Sequence, residues 1–492
     1  MLSGVWKIGG LCLALLLSGC GSKAVPPLPT AVALAVSNVT LIDPATRTVR
    51  PDSTILIDDG RIVAITGSQD APDYAAAEEI DGEGRFLIPG LIDMHVHMAE
   101  HPLLARFSGP LFIANGVTGV RDMSSDCWEP RGDESVCIDH MRALSARIEA
   151  GETVGPHLLA LSSDFVKGVA YREELPEGAP DFYHPETAAE ARELVRFLKK
   201  RGVDFIKSYS SVPPAAYFAM MDEAKKLGLP VAGHVPRAMD VLEAAAAGHR
   251  SIEHARVLLY DCSDYGPSYR ASMAAGEAPD DETRLRETLD GYNPARCKAV
   301  LDSLARIGVY YVPTHETREM DARAGEAAYR NDPRLRYIPE PLMARKWRGD
   351  LDETASVSPA VSALYDHFYR HGLTITRMAH EAGVPVMVGT DANDTMVFPG
   401  FSYHDELGHL AKAGLEPMEI LRAATIVPAR YLGREGEFGR IAVGMSANLV
   451  LLEADPLLDI ANAAEIAAVI FSGRVFDKQA IEALKETVAA EF

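Results

Sequence analysis

Apolar positions follow two rhythms along this chain. From residue 31 to 85 they come in short runs broken by turns, as in VALAVSNVTLID, STILIDDGRIVAITG and AEEIDGEGRFLIPG. Runs of this length with turn residues between them predict β-strands. Asp58-Asp59-Gly60 marks a hairpin, because a tight two-residue turn needs positive φ and Asp-Gly tolerates it. GRIAVGMSANLVLLEADPL and AAVIFSGRVF, near the other end, read the same way. Between these regions eight apolar runs alternate with amphipathic stretches. The runs are FLIPGLIDMHVH, GVTGVRDM, HLLALSSD, VDFIKSYS, PVAGHVP, RSIEHA, VYYVPTH and VPVMVGTDA. PETAAEARELVRFLKKRG and PAAYFAMMDEAKKLG are helices that close on a C-terminal glycine. Strand–helix alternation repeated eight times predicts an α/β fold, the (β/α)8 TIM barrel, whose chemistry sits at the strand C-termini.

Those ends carry a particular set of residues. The first run finishes on His95 and His97. Strand side chains alternate, so the two imidazoles share a face about 6.6 Å apart and can converge on one cation. The fourth run carries Lys207, the fifth His234, the sixth His254, and the eighth ends in Asp391. Singly, each has an ordinary reading, a core histidine or a helix-capping aspartate. Together at one end of a barrel they predict a metal site. Four further residues are candidates for contact with a substrate: Arg121, Tyr209, His315 and His404. Arg121, with Asp122, either supports the ligand histidines or reaches a substrate carboxylate. Tyr209 shares a strand face with Lys207, and the two histidines follow the seventh and eighth strands.

With 47% hydrophobic and 24% charged residues the composition is that of a globular protein. A net charge of −22 leaves no basic surplus for phosphates, which argues against a nucleic-acid partner. Lys7, the apolar stretch IGGLCLALLLSGC and the ending Leu17-Ser18-Gly19-Cys20 resemble a bacterial lipoprotein signal. Residues 1–19 are then a signal peptide, Cys20 the lipidated residue, and residues 20–30 a Pro-containing tether. Gly21 stands where an inner-membrane retention Asp would, so the expected location is the outer membrane, facing the periplasm. Export suits the four remaining cysteines, Cys127, Cys137, Cys262 and Cys297. Three pairings are possible. The two local ones are favoured, since each pair flanks a polar stretch.

PGLIDMHVH, VDFIKSY, VAGHVP, SIEHA, VGTDA, ILRAATIVPARYLG and GRIAVGMSANLVLLEADPL, in this order, resemble the amidohydrolase superfamily, and within it the imidazolonepropionase-like and prolidase-like branch. The resemblance implies a metal-bearing barrel over residues 86–435, beside a small β-sandwich built from both chain ends, residues 31–85 and 436–492. It implies that His95, His97 and Asp391 bind a buried metal ion, and that His234 and His254 bind a second. Lys207 would be carboxylated and bridge them. The ions would be divalent, with zinc suiting the ligand set. The implied reaction is attack of a metal-bridging hydroxide on an amide carbonyl, with Asp391 moving the proton. A dipeptide or N-acyl amino acid is the expected substrate. Cyclic amide or imide hydrolysis and deamination are the alternatives within the superfamily. An inactive metal-binding surface lipoprotein is the remote one, disfavoured by the complete ligand set. Long insertions after the sixth and seventh strands are expected to form a lid or a contact between copies in a homo-oligomer.

Overall fold

The computed structural model describes residues 31–69, 74–129 and 136–492. The signal sequence, Cys20 and the tether lie outside the described residues.

Five strands come first: β1 (Ala31–Asp43), β2 (Thr48–Asp58), β3 (Arg61–Gly67), β4 (Ala75–Asp81) and β5 (Phe86–Pro89). The β2–β3 hairpin turns at Asp59 and Gly60, both with positive φ, as Asp-Gly requires. Seven barrel strands follow: β6 (Leu91–Val96), β7 (Val117–Asp122), β8 (His157–Val166), β9 (Phe205–Ser208), β10 (Val231–Gly233), β11 (Ser251–Glu253) and β12 (Tyr310–Val312). Near the C-terminus, β13 (Leu449–Leu452), β14 (Ile466–Phe471) and β15 (Arg474–Asp477) return to the first group. They complete one eight-stranded, mostly antiparallel sheet ordered β15-β14-β13-β5-β1-β2-β3, with β4 also on β1. The chain ends thus share a sheet. Its core joins Leu34, Val36 and Ile55 to Leu449, Leu451 and Ile470.

The barrel strands pair in parallel, β6 to β12 in chain order. Two expectations need correction. First, FLIPGLIDMHVH is two strands. β5 belongs to the chain-end sheet, and the barrel begins at Leu91, after Pro89 and Gly90. A Cβ at Gly90 would lie 2.1 Å from Thr118 Oγ1, so only glycine lets the chain cross from sheet to barrel here. Second, the eighth run is no continuous strand. It closes the barrel through isolated bridges, Val386 to Tyr311 and Ala392 to Val96. Asp391 N donates to His95 O (2.7 Å) and Met94 N to Val388 O (2.9 Å). The ladder is interrupted because Val388 N donates to Ala423 O of the helix Pro417–Ala424, and because Asp391 has φ +71.

Helices cover the outside. In the helix Ala188–Arg201, Thr187 and Glu190 form a capping box, and Gly202 ends it in the left-handed region. The final helix, Lys478–Ala490, leaves the sheet and packs on the first barrel helix, Pro102–Ala114, where Val488 is buried with Phe107 and Leu111. Cys127 is bonded to Cys137, and Cys262 to Cys297, the two local pairings. The insertion after β12 folds as short helices whose core around Trp347 is shared with Leu104 of the first barrel helix and with Met396 and Phe398. Among the described residues no helix is long and apolar enough to cross a membrane.

Candidate metal centre

Six side chains converge at the C-terminal mouth of the barrel. His95 and His97 leave β6, Lys207 rises from β9, His234 and His254 follow β10 and β11, and Asp391 comes from the eighth segment. Ligand atoms of His95, His97 and Asp391 lie within 4.8 Å of one another. Asp391 Oδ1 is 2.8 Å from His97 Nε2 and 3.2 Å from His95 Nε2. Lys207 Nζ is 3.0 Å from His95 Nε2, and His234 Nε2 is 2.8 Å from His254 Nε2. His254 and Asp391 both have positive φ without being glycine, at +73° and +71°. Such strained backbone persists where the surrounding structure imposes it, commonly at functional sites.

The protonation states fit a cation. Burial pushes the His234 and His254 imidazoles well below their ordinary value, so both are neutral with a lone pair to give. Two neutral imidazole nitrogens facing each other share at most one proton, whereas both can ligate one ion. For Asp391, burial opposes ionisation, but the neighbouring His95 and a hydrogen bond from His97 outweigh it and hold the carboxyl well below its usual range. Burial draws the Lys207 amine down to about 8, against the pull of Asp391 and Glu253. The residues present therefore fit a cation at His95, His97 and Asp391, with Lys207 against His95 and the His234–His254 pair beside them.

Beneath the centre runs a fixed relay. Glu253 Oε2 accepts from His95 Nδ1 (2.9 Å), which leaves Nε2 free to face the centre. Glu253 Oε1 accepts from Arg121 Nη2 (2.8 Å). Burial would raise the Glu253 carboxyl, yet Arg121 and His95 bring it down to about 2. Arg121 also donates to Met94 O, Ser251 Oγ and Tyr431 Oη. Asp93 takes His95 N and Thr390 Oγ1, binding β6 to the eighth segment. Asp122 accepts from Met98 N and Ser125 Oγ and fixes the turn after His97.

Of the four substrate candidates, only Tyr209 faces the cleft, stacked on His234 with ring centroids 4.5 Å apart. The other three lie outside its lining. Arg121 is fully buried beneath His95, where it bonds to Glu253. His315 is buried against Thr376 (2.9 Å), because the helix that starts there, Glu316–Arg323, turns it behind the barrel. His404, in the helix Phe401–Ala413, bonds to Asn115 O (2.9 Å) on the barrel's flank.

The cleft over the centre has a volume of about 270 Å³. Sequence reasoning missed Glu100, Phe165, Lys167, Arg256, Thr317, Arg318, Lys346 and Asp394, which make up the rest of its walls. Lys346 reaches in from the insertion after β12 and pairs with Asp394 (2.8 Å). Glu253 had a signal, an acid inside an apolar strand two residues from Ser251. Arg256 and Lys346 had none, since loop conformation places them.

Residues 86–476 match the amidohydrolase family, and the chain belongs to it. It is 24% identical over 457 residues to an imidazolonepropionase of Mycolicibacterium smegmatis, covering 89% of this chain and 95% of that one. An adenine deaminase 2 of Shouchella clausii is 25% identical over 201 residues, 40% of this chain and 33% of that protein's length. Among solved structures, a bottromycin amidohydrolase superposes with a TM-score of 0.69 at 22% identity, over 93% of this chain and 90% of that one. A Xaa-Pro dipeptidase with bound methionine in the active site gives 0.64 at 20% identity, over 90% and 99%. The latter two likenesses establish the barrel with its accompanying sheet.

Proposed function

We propose that the protein hydrolyses the amide bond of a dipeptide or an N-acyl amino acid with the help of two divalent metal ions. The observation that carries this reading is the convergence of six donors at the mouth of an amidohydrolase barrel, with His234 and His254 neutral and Asp391 ionised. His95, His97 and Asp391 would hold one ion, His234 and His254 the other, and Lys207, carboxylated on Nζ, would bridge them. Bound there, zinc or a similar ion supplies Lewis acidity and lowers the pKa of water.

The chain's own groups do the rest. A lysine amine must lose its proton before its lone pair can add to carbon dioxide, and burial of Lys207 at about 8 favours that loss. The carbamate that forms carries the negative charge, and the proton leaves to solvent. Asp391 is held ionised at the centre, so it can accept a proton from the attacking water and pass it to the leaving nitrogen. The carbon–nitrogen bond breaks, and a carboxylic acid and an amine are released. The likeness to a Xaa-Pro dipeptidase structure supports a dipeptide substrate. Exported, lipid-anchored placement at Cys20 accords with the two disulfides.

The test is amino-acid release from a library of dipeptides, including X-Pro, and N-acyl amino acids, by zinc-loaded protein. Asp391→Asn should lower kcat by 10³-fold or more while folding normally. Silence across the library with two metals bound per chain would move the reading to cyclic amides, which the likeness to an imidazolonepropionase favours. Full activity in Asp391→Asn would defeat the proton-transfer assignment.

A further inference from the structure

Beside the metal centre lies a second cavity of about 200 Å³, which opens onto the cleft along His234, Arg256 and Arg318. Its outer wall comes from the insertion after β11, which the Cys262–Cys297 bond ties down. Five guanidinium groups line this cavity, from Arg237, Arg256, Arg270, Arg284 and Arg318, against two carboxyls, Asp261 and Asp281. In a chain of net charge −22 that local surplus is the reverse of the whole.

Three of the arginines are already neutralised. Arg270 pairs with Asp261 (2.9 Å) and Asp240 (3.3 Å), Arg284 with Asp281 (2.5 Å), and Arg318 with Asp321. Among the described residues, Arg237 and Arg256 have no salt bridge and no side-chain hydrogen bond. Arg256 stands at the junction of the two cavities, two residues after His254, while Arg237 is exposed and lines only the outer one. Like charges held together without counter-charge repel and cost stability. A planar guanidinium with free donors matches a carboxylate in bidentate geometry. Two such groups, one beside the reacting centre and one farther out, match a ligand with two acids.

We infer that the amine half of the substrate is a dicarboxylic amino acid, with one carboxylate held by Arg256 next to the metal centre and the second by Arg237 in the outer cavity. This rests on the amide-hydrolysis reading above. Arg237 then sets specificity: it touches the side-chain acid and leaves the reacting atoms alone.

Two measurements test it. In the first, glutarate and its half-amide glutaramate are titrated calorimetrically into the full-length protein, with and without zinc. Glutarate should bind at least tenfold more tightly, and Arg237→Ala should erase the difference, as should Arg256→Met. In the second, kcat/KM is compared for Ala-Glu and Ala-Gln. Wild type should favour Ala-Glu by tenfold or more, Arg237→Ala should remove that preference through KM, and Arg237→Lys should keep part of it. Equal binding of glutarate and glutaramate overturns the dicarboxylate site. Equal kcat/KM for the two dipeptides overturns its assignment to the amine half, whatever glutarate does. Tight glutarate binding with no hydrolysis of any amide would instead sink the amide reading and leave the site standing.

Discussion

At the scale of single residues, the centre depends on groups that never touch a substrate. Glu253 orients His95 and is itself tethered by Arg121. Glu253→Gln keeps the shape but removes the charge that fixes the His95 tautomer. Metal affinity should fall 10–100-fold, as for other partners of ligand histidines, and competition with a chelator would measure it. Another buried histidine gives a pH signature. His249 is 2% exposed, accepts from Tyr217 Oη and donates to Gly233 O. Burial lowers its pKa from 6.5 to about 4. The unfolded chain therefore takes up its proton first, so this contribution to stability is present above pH 6.5 and is lost as pH falls toward 4. At about 1.4 kcal/mol per pKa unit the loss is roughly 3 kcal/mol, and His249→Gln should flatten the urea-unfolding profile across that window. The convergence of His95, His97, Lys207, His234, His254 and Asp391 was legible in the sequence because strand alternation and strand ends leave a local pattern. Arg121 was legible only as a choice between two roles, since burial, which decides between them, is a property of the closed barrel.

At the scale of elements, tight crossings position the ligands. Gly233 ends β10 with φ +120, and a Cβ there would lie 2.6 Å from Ser208 O and 2.9 Å from Lys207 Cδ. Gly233→Ala should displace Lys207 and cost about 1–3 kcal/mol in overpacking and backbone strain, read as a lower unfolding midpoint and a lower metal count. Non-reducing peptide mapping should recover the peptides joined through Cys127–Cys137 and Cys262–Cys297; free thiols at all four positions would contradict the pairing. Seven barrel strands were readable as apolar runs between helices. The eighth was readable by composition but departs from a ladder, because hydrogen bonding to a neighbouring helix cannot be seen in a run of Val and Met. The split at Pro89-Gly90 was hidden for a similar reason: both halves are apolar, and they differ only in which sheet they join.

At the scale of the whole molecule, the two ends of the chain close one sheet, and the last helix is riveted to the first barrel helix. Ending the chain at Asp477 removes Ile481 and Val488, both buried, and bares Phe107 and Leu111. At about 1.5–3 kcal/mol per buried apolar side chain, the loss should exceed 2 kcal/mol and shift the denaturant midpoint. The similar texture of residues 31–85 and 440–476 was legible, and the family resemblance joined them. The contact of residues 478–490 with the barrel was not, because an amphipathic tail does not name its partner.

The position of β5 has a consequence for how the protein is made. Its edges are taken by β1, synthesised early, and by β13, synthesised near the end. Gly90 alone separates it from the strand that carries His95. Throughout most of synthesis, one flank of β5 is therefore an open row of backbone donors and acceptors, joined to the strand that carries His95. Unpaired edges of this kind recruit other chains. The late-arriving Leu449–Leu452 segment acts as the cap that ends this exposure, so chains interrupted before it should aggregate through their N-terminal part even where the barrel sequence is complete.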